Sequence, residues 1–199
     1  PTKVYFGKGE ENRAGEILTA YGATKVLVLY GGQSAKKSGV LDRVETSLCE
    51  ARIPYVLQGG VHPNPRLSHA RAVIELCKKE HVDFLLPVGG GSVIDEAKCI
   101  GMGLCYEGDV WDIYTRKEPD HGCIPLGTIL TIAAAGSEMS NCSVITNEDG
   151  MLKRSDLGVR LGAGVVWKRI YFGLGYDIGC LNLVKESDGE GTMRNNCFT

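Results

Sequence analysis

Val82-Asp83-Phe84-Leu85-Leu86-Pro87-Val88-Gly89-Gly90-Gly91-Ser92-Val93-Ile94-Asp95 joins a short apolar run to three glycines and then to residues able to open a helix. The run from Val82 to Val88, ended by glycine, reads as a strand covered on both faces, the kind found in parallel sheets. The spacing predicts a helix from Ser92 to Gly101. One glycine would serve a strand-to-helix turn. Three in a row free several backbone N–H groups of any Cβ, at the positive end of a helix dipole, and that suits a diphosphate. Ser92 adds a hydroxyl donor.

Upstream the same alternation repeats. Lys25 to Tyr30 is an apolar strand that stops at Gly31-Gly32. Ser38 to Ala51 follows as a helix with Val40, Leu41, Val44 and Leu48 on one face. Ile53 to Leu57 is the next strand, and His62-Pro63-Asn64-Pro65 a stiffened turn. Ser68 is the expected N-cap of a helix reaching Lys79, with Ala72, Val73 and Leu76 inward. Strand, short loop and helix in repetition mean a parallel sheet with helices on its faces, an α/β domain that binds ligands beyond the carboxyl ends of its strands. Both Gly-rich loops fall at that edge.

Downstream of Gly101 the order loosens. Asp109 to Asp112 suggests a helical turn, Ile124–Leu126 and Ile129–Ile132 suggest strands, and Ser143–Thr146 a strand before a hairpin turn at Asn147–Gly150. From about Leu157 glycines punctuate the chain, and Lys185 to Thr199 is polar, so residues 157–199 are expected to be a poorly ordered tail. The division is therefore a dinucleotide-binding domain over 1–156 and a separate tail over 157–199.

Composition narrows the class. With 43% hydrophobic and 23% charged residues, the chain has the balance of a globular domain. A formal net charge of −2 supplies no electrostatic reason for a nucleic acid or an anionic membrane as partner. Eight Cys occur without a CxxC pair, and most sit in apolar runs, so buried reduced thiols are expected rather than a disulfide framework or zinc ribbon. The strand-like Val4-Tyr5-Phe6 opening has no basic n-region before an apolar stretch, so no signal peptide is read and the expected location is cytoplasmic.

Four stretches carry candidate chemistry. The first is Gly90, Gly91 and Ser92. The second is Gly31-Gly32-Gln33-Ser34-Ala35-Lys36-Lys37, where an acid would bind a ribose 2′-hydroxyl. There is none; Gly32, Ser34 and two lysines favour NADP(H) over NAD(H), although the lysines also suit the solvated start of a helix. The third is Asn64, an amide held between prolines, equally readable as a plain turn. The fourth is Thr128 to Met139, whose hydroxyls and small residues let a flat ligand lie against backbone or allow close strand–helix packing.

In this order and spacing, and with the opening Pro1-Thr2-Lys3-Val4-Tyr5-Phe6-Gly7-Lys8-Gly9, the four stretches resemble the iron-containing (group III) alcohol dehydrogenases, nearest to their butanol dehydrogenase branch. The resemblance covers residues 1–156. It implies a Rossmann-like parallel-sheet domain of the dehydroquinate synthase-like kind. It assigns Gly90, Gly91, Ser92 and Asp95 to the coenzyme diphosphate and its neighbourhood, and Asn64, Thr128, Thr131 and Lys153 to the rest of the cleft. Position 135 is Ala where many members carry Thr, which removes one hydroxyl.

The family's divalent metal, iron or zinc, sits on one Asp and three His of a helical domain. This chain has only His62, His69, His81 and His121, and no Asp-x-x-x-His, so the metal ligands and that domain are read as missing, no catalytic residue is assigned, and the four His are read as surface or packing residues. The resemblance implies an NAD(P)-dependent oxidoreductase acting on a small alcohol or aldehyde such as butanol or butanal, truncated and inactive alone, with a homodimer allowed. The alternative is a nucleotide-binding module without turnover. The related sugar-phosphate cyclases share the architecture, but Gly136-Ser137-Glu138-Met139 argues against them.

Overall fold

Alternating side chains along two strands explain why helices cover both sides of one sheet. In the computed structural model, which describes residues 2–133 and 136–149 and the backbone of 158–167 and 170–179, β1 is Val26–Tyr30 and β3 is Phe84–Gly89. Leu27, Leu29 and Leu85 point to one face, where they join Leu67, Ala70, Val73, Ile74 and Cys77 of α4 (Leu67–Glu80) and Val93, Ala97 and Ile100 of α5 (Gly91–Leu104). Val26, Val28, Phe84, Leu86 and Val88 point to the other, against α1 (Ala14–Ala20) and α3 (Val40–Glu50). Period-two burial on both faces of a strand is what a fully covered parallel sheet requires.

The sheet order is β2-β1-β3-β4, all parallel, with β2 at Tyr55–Gln58 and β4 at Ile129–Leu130. The chain leaves β1 toward β2 on one side and returns to β3 on the other. The crevice between the ends of β1 and β3 is thus the point of strand-order reversal, where such sheets take ligands. A Rossmann-like α/β unit is the result.

Local expectations hold for most of the sheet and shift at element ends. Val40, Leu41, Val44 and Leu48 are buried together on α3, as the periodicity predicts, and a short α2 (Gln33–Lys37) precedes it. α1, after a 3-10 turn at Glu10–Arg13, was not visible in the pattern. It packs so closely on α3 that a Cβ built at Gly15 would lie 2.2 Å from the Ser47 carbonyl oxygen.

The inward face of α4 is Leu67, Ala70, Val73, Ile74 and Cys77, not Ala72 and Leu76; Ala72 is exposed. Ser68 does not cap that helix, because the helix begins one residue earlier, at Leu67. The expected strand at Ser143–Thr146 is reduced to one bridge between Arg66 and Thr146, and Leu126 likewise makes a single bridge to Leu85. Val4-Tyr5-Phe6 forms no strand, and Phe6 is fully exposed. Among the six described cysteines only Cys77 and Cys99 are buried, since the others sit at helix ends and in loops.

The chain divides into two units, Pro1–Glu148 and Asp149–Thr199. In the second, β5 (Gly158–Trp167) and β6 (Ile170–Gly179) pair antiparallel from Gly158–Gly179 to Trp167–Ile170. A poorly ordered tail was expected there, because its frequent glycines mask the strand pattern. No described helix is long and apolar enough to cross a membrane.

Candidate functional site: the carboxyl edge of the sheet

The site is built from strand ends that differ in what their glycines are for. Gly89 closes β3, and a Cβ there would lie 2.6 Å from Val93 Cγ2, so its absence lets α5 turn back tightly onto the strand. Gly90 is the N-cap of α5 in an extended conformation, φ −99°, with no side-chain cap. A Cβ on Gly90 would find its nearest neighbour at 3.9 Å, on Ile132. The Gly90 carbonyl accepts from Val93 N at 3.0 Å and Ile94 N at 3.2 Å. The amides of Gly91 and Ser92, ahead of these, have no intrahelical acceptor by helix geometry. Among the described residues no other group accepts from them.

The other candidate residues flank this turn to different degrees. Gly32 caps α2 at the end of β1, and a Cβ there would meet nothing within 4 Å; Ser34 is exposed one residue into that helix. A Cβ on Gly31 would lie 3.5 Å from Val93 Cγ2 and 3.4 Å from the Val61 carbonyl oxygen, so Gly31 sits between Val93 of α5 and the loop after β2. Pairing of β3 with β4 brings Thr128 and Thr131 alongside, and Thr131 N donates to the Gly89 carbonyl at 3.0 Å. Asn64 is exposed at φ 57°, in a loop held by Thr146 N donating to the Pro65 carbonyl at 2.8 Å. Lys153 and position 135 lie outside the described residues.

Asp95 has a task of its own. Its carboxylate accepts from Ser137 Oγ at 2.6 Å and from Val144 N at 3.3 Å. It therefore ties the 136–144 loop to α5 beside the Gly89–Ser92 turn.

Lys98, one helical turn on, was not singled out from sequence. Its Nζ donates to Ser137 O at 2.7 Å, Ser137 Oγ at 2.8 Å and Cys142 O at 2.7 Å. Burial lowers the Lys98 pKa, and Asp95 opposes that shift. Spacing by three residues on one helix was the available signal.

His69 also exceeds its reading as a surface or packing residue: its Nδ1 is hydrogen-bonded to Glu96, a carboxylate with no exposed surface. Local sequence could not reveal this pair, because its members are on different helices. The N-terminus of α4 is likewise served from afar. Glu148 accepts from Ser68 N at 3.1 Å and pairs with Arg66 at 3.6 Å.

The arrangement offers uncapped helix amides, open glycine surfaces and hydroxyls along one sheet edge. It does not offer a metal site: among the described residues no group of three or more His, Cys, Asp or Glu could hold an ion.

Comparison with known proteins agrees with this architecture. The family model for iron-containing alcohol dehydrogenases matches residues 1–159. The chain is 50% identical over 147 residues to a probable NADH-dependent butanol dehydrogenase of Bacillus subtilis, covering 74% of this chain and 38% of that protein. It is 36% identical over 151 residues to an NADPH-dependent aldehyde reductase of Escherichia coli, covering 74% of this chain and 38% of that one. The crystal structure of NADH-dependent butanol dehydrogenase A from Thermotoga maritima superposes with a TM-score of 0.73 at 47% identity, over 75% of this chain and 37% of that one. The chain thus spans well under half the length of these relatives.

Proposed function

Since the chain belongs to the iron-containing alcohol dehydrogenase family, we propose that its parallel-sheet unit binds a nicotinamide dinucleotide with the diphosphate on the amides of Gly91 and Ser92. The observation that carries this is the bare start of α5 at the strand-order reversal. A helix N-terminus there attracts an anion, and the absent Cβ of Gly90 lets the anion approach. Gly32 and Ser34 lie at the adenosine end, and Asn64, Thr128 and Thr131 line the remainder, with Lys153 assigned by resemblance alone. Asp95 and Lys98 position the neighbouring loop.

The reaction of the whole enzyme is hydride transfer between the nicotinamide ring and the carbon of a small primary alcohol or aldehyde, butanol or butanal being the model. The bound coenzyme supplies the hydride chemistry, and this chain's residues bind and orient it. Among the described residues the donor set does not fit the family metal, so no step is routed through one.

Between coenzymes we favour NADP(H), because the loop after β1 offers Ser34, Lys36 and Lys37 and no acid. Relatives named for either coenzyme exist, and the more similar ones are named for NADH. The choice therefore rests on the loop alone.

A second reading, a nucleotide-binding module without turnover, is favoured by one observation: among the described residues none of the four His belongs to a group able to hold a metal. Calorimetric titration of the folded chain with NADPH and NADH tests the first step, and butanal reduction with added iron or zinc tests the second. Saturable binding with turnover supports the enzyme, and binding without turnover supports the module. No heat with either coenzyme overturns both.

A further inference from the structure

The largest unexplained polar feature of the sheet unit is Glu96. It has no exposed surface, and its Oε2 has no partner among the described residues. Its Oε1 meets His69 Nδ1, and the His69 side chain is 24% exposed. Such a pair costs more to bury than apolar side chains of similar size, so joining α4 to α5 does not by itself account for it.

Its position does account for it. Glu96 lies on the second turn of α5, just beyond Gly90, Gly91 and Ser92. His69 lies in the first turn of α4, directly after the loop that carries Asn64. The imidazole also interacts with the Gly59 backbone, and a Cβ built at Gly60 would lie 3.3 Å from His69 Nε2. Gly60, at φ +100°, leans its amide on the Gly31 carbonyl at 3.4 Å, beside Gly32. One imidazole thus touches or adjoins the supports of three loops of the coenzyme edge.

We propose that His69 and Glu96 are positioning residues for coenzyme binding: a clamp, rooted in buried Glu96, that sets the separation of the Gly31–Gly32, Gly59–Asn64 and Gly90–Ser92 loops. The coenzyme role rests on the reading of this edge given above; the loop coupling does not. The hydrogen bond to Glu96 holds the imidazole pKa above its ordinary value, with burial opposing, so the charged form is favoured. Close by on α5 is Cys99, whose thiol burial pushes up to about 12 and on which Glu96, Asp109, Arg71 and Tyr114 of α6 (Val110–Tyr114) all act. Burial raises Cys99 and Tyr114, and Arg71 lowers Asp109, so these groups titrate away from neutral pH and His69 is the group whose titration opens the clamp.

The test follows the amide signals of Gly31, Gly60 and Ser92 and the His69 ring protons by NMR from pH 5 to 9, with coenzyme titrations alongside. In the unaltered chain all three amides are expected to shift in step with His69. Affinity for NADPH should fall about ten-fold, equivalent to ~1.4 kcal/mol, above that transition. Glu96→Gln should move the transition to lower pH and carry the amides with it. His69→Asn alone should melt lower than the double variant with Glu96→Gln, because it leaves an unpaired buried carboxylate.

Amides that ignore His69, or coenzyme affinity unchanged in Glu96→Gln at every pH, would overturn the clamp. If Glu96→Gln does not fold, the titration of the unaltered chain decides alone. Coupled amides without any coenzyme binding would support the clamp while refuting the coenzyme reading of the edge.

Discussion

Two neighbouring helices of this molecule, α4 and α5, have the same length, 14 residues, and pack on the same face of the sheet, yet their N-termini are treated oppositely. Neither has a cap from its own N-cap residue. At α4 the chain brings in Glu148 from 80 residues away to accept from the Ser68 amide. At α5 no described residue plays that part, and the N-cap is a glycine whose Cβ would find its nearest neighbour at 3.9 Å. Unsatisfied first-turn amides attract negative charge in either case. One end is filled by the chain's own carboxylate and the other is not, and that difference is what the proposed diphosphate site at α5 requires.

The most direct way to break the contrast is to make α5 resemble α4. Gly90→Asp puts a carboxylate at an extended N-cap with room for a Cβ. It should lower coenzyme affinity by about 100-fold or more while leaving melting unchanged or raised by a few tenths to ~1 kcal/mol. Calorimetry and thermal melting on one sample check both halves. A Gly90→Asp chain that binds coenzyme as before would remove the case for the bare end.

Gly89→Ala sharpens the distinction from the other side. Its Cβ would press on Val93 at 2.6 Å and displace the first turn of α5, so stability should drop by about 1–3 kcal/mol in denaturant unfolding. Adjacent glycines would then have different tasks, one for packing and one for the ligand. Equal effects of Gly89→Ala and Gly90→Ala on unfolding would contradict that division.

The contrast also explains what could be read from the chain and what could not. The start of α5 was legible because strand, glycines and helix are contiguous from Phe84 to Leu104. The α3 face was legible because Val40, Leu41, Val44 and Leu48 repeat at helical spacing. The α4 start was misread: Ser68 looks like a cap, but its amide is held by a carboxylate that only the fold brings near. The His69–Glu96 pair, the anchoring of Ser137 by Asp95 and Lys98, and the close crossing at Gly15 are all tertiary, with no period to betray them. The antiparallel strands after Gly158 were lost behind their glycines.

The smallest expected effect falls on the filled end. Glu148→Gln keeps the shape and removes the charge, so it should cost about 0.5–1 kcal/mol at neutral pH and leave coenzyme affinity unchanged. The hydrogen bond from Ser68 lowers the Glu148 pKa below its ordinary 4.5, against a smaller burial effect and with smaller contributions from Arg66 and His62. A lowered folded-state value means that the stabilisation is complete above about pH 4.5 and disappears as pH falls through the folded-state value. The melting curves of the two proteins should therefore stand apart at pH 7 and converge in acid. A constant gap down to acid pH would mean that Glu148 acts by packing rather than as a charge on the helix end, and the two N-termini would no longer differ in the way described.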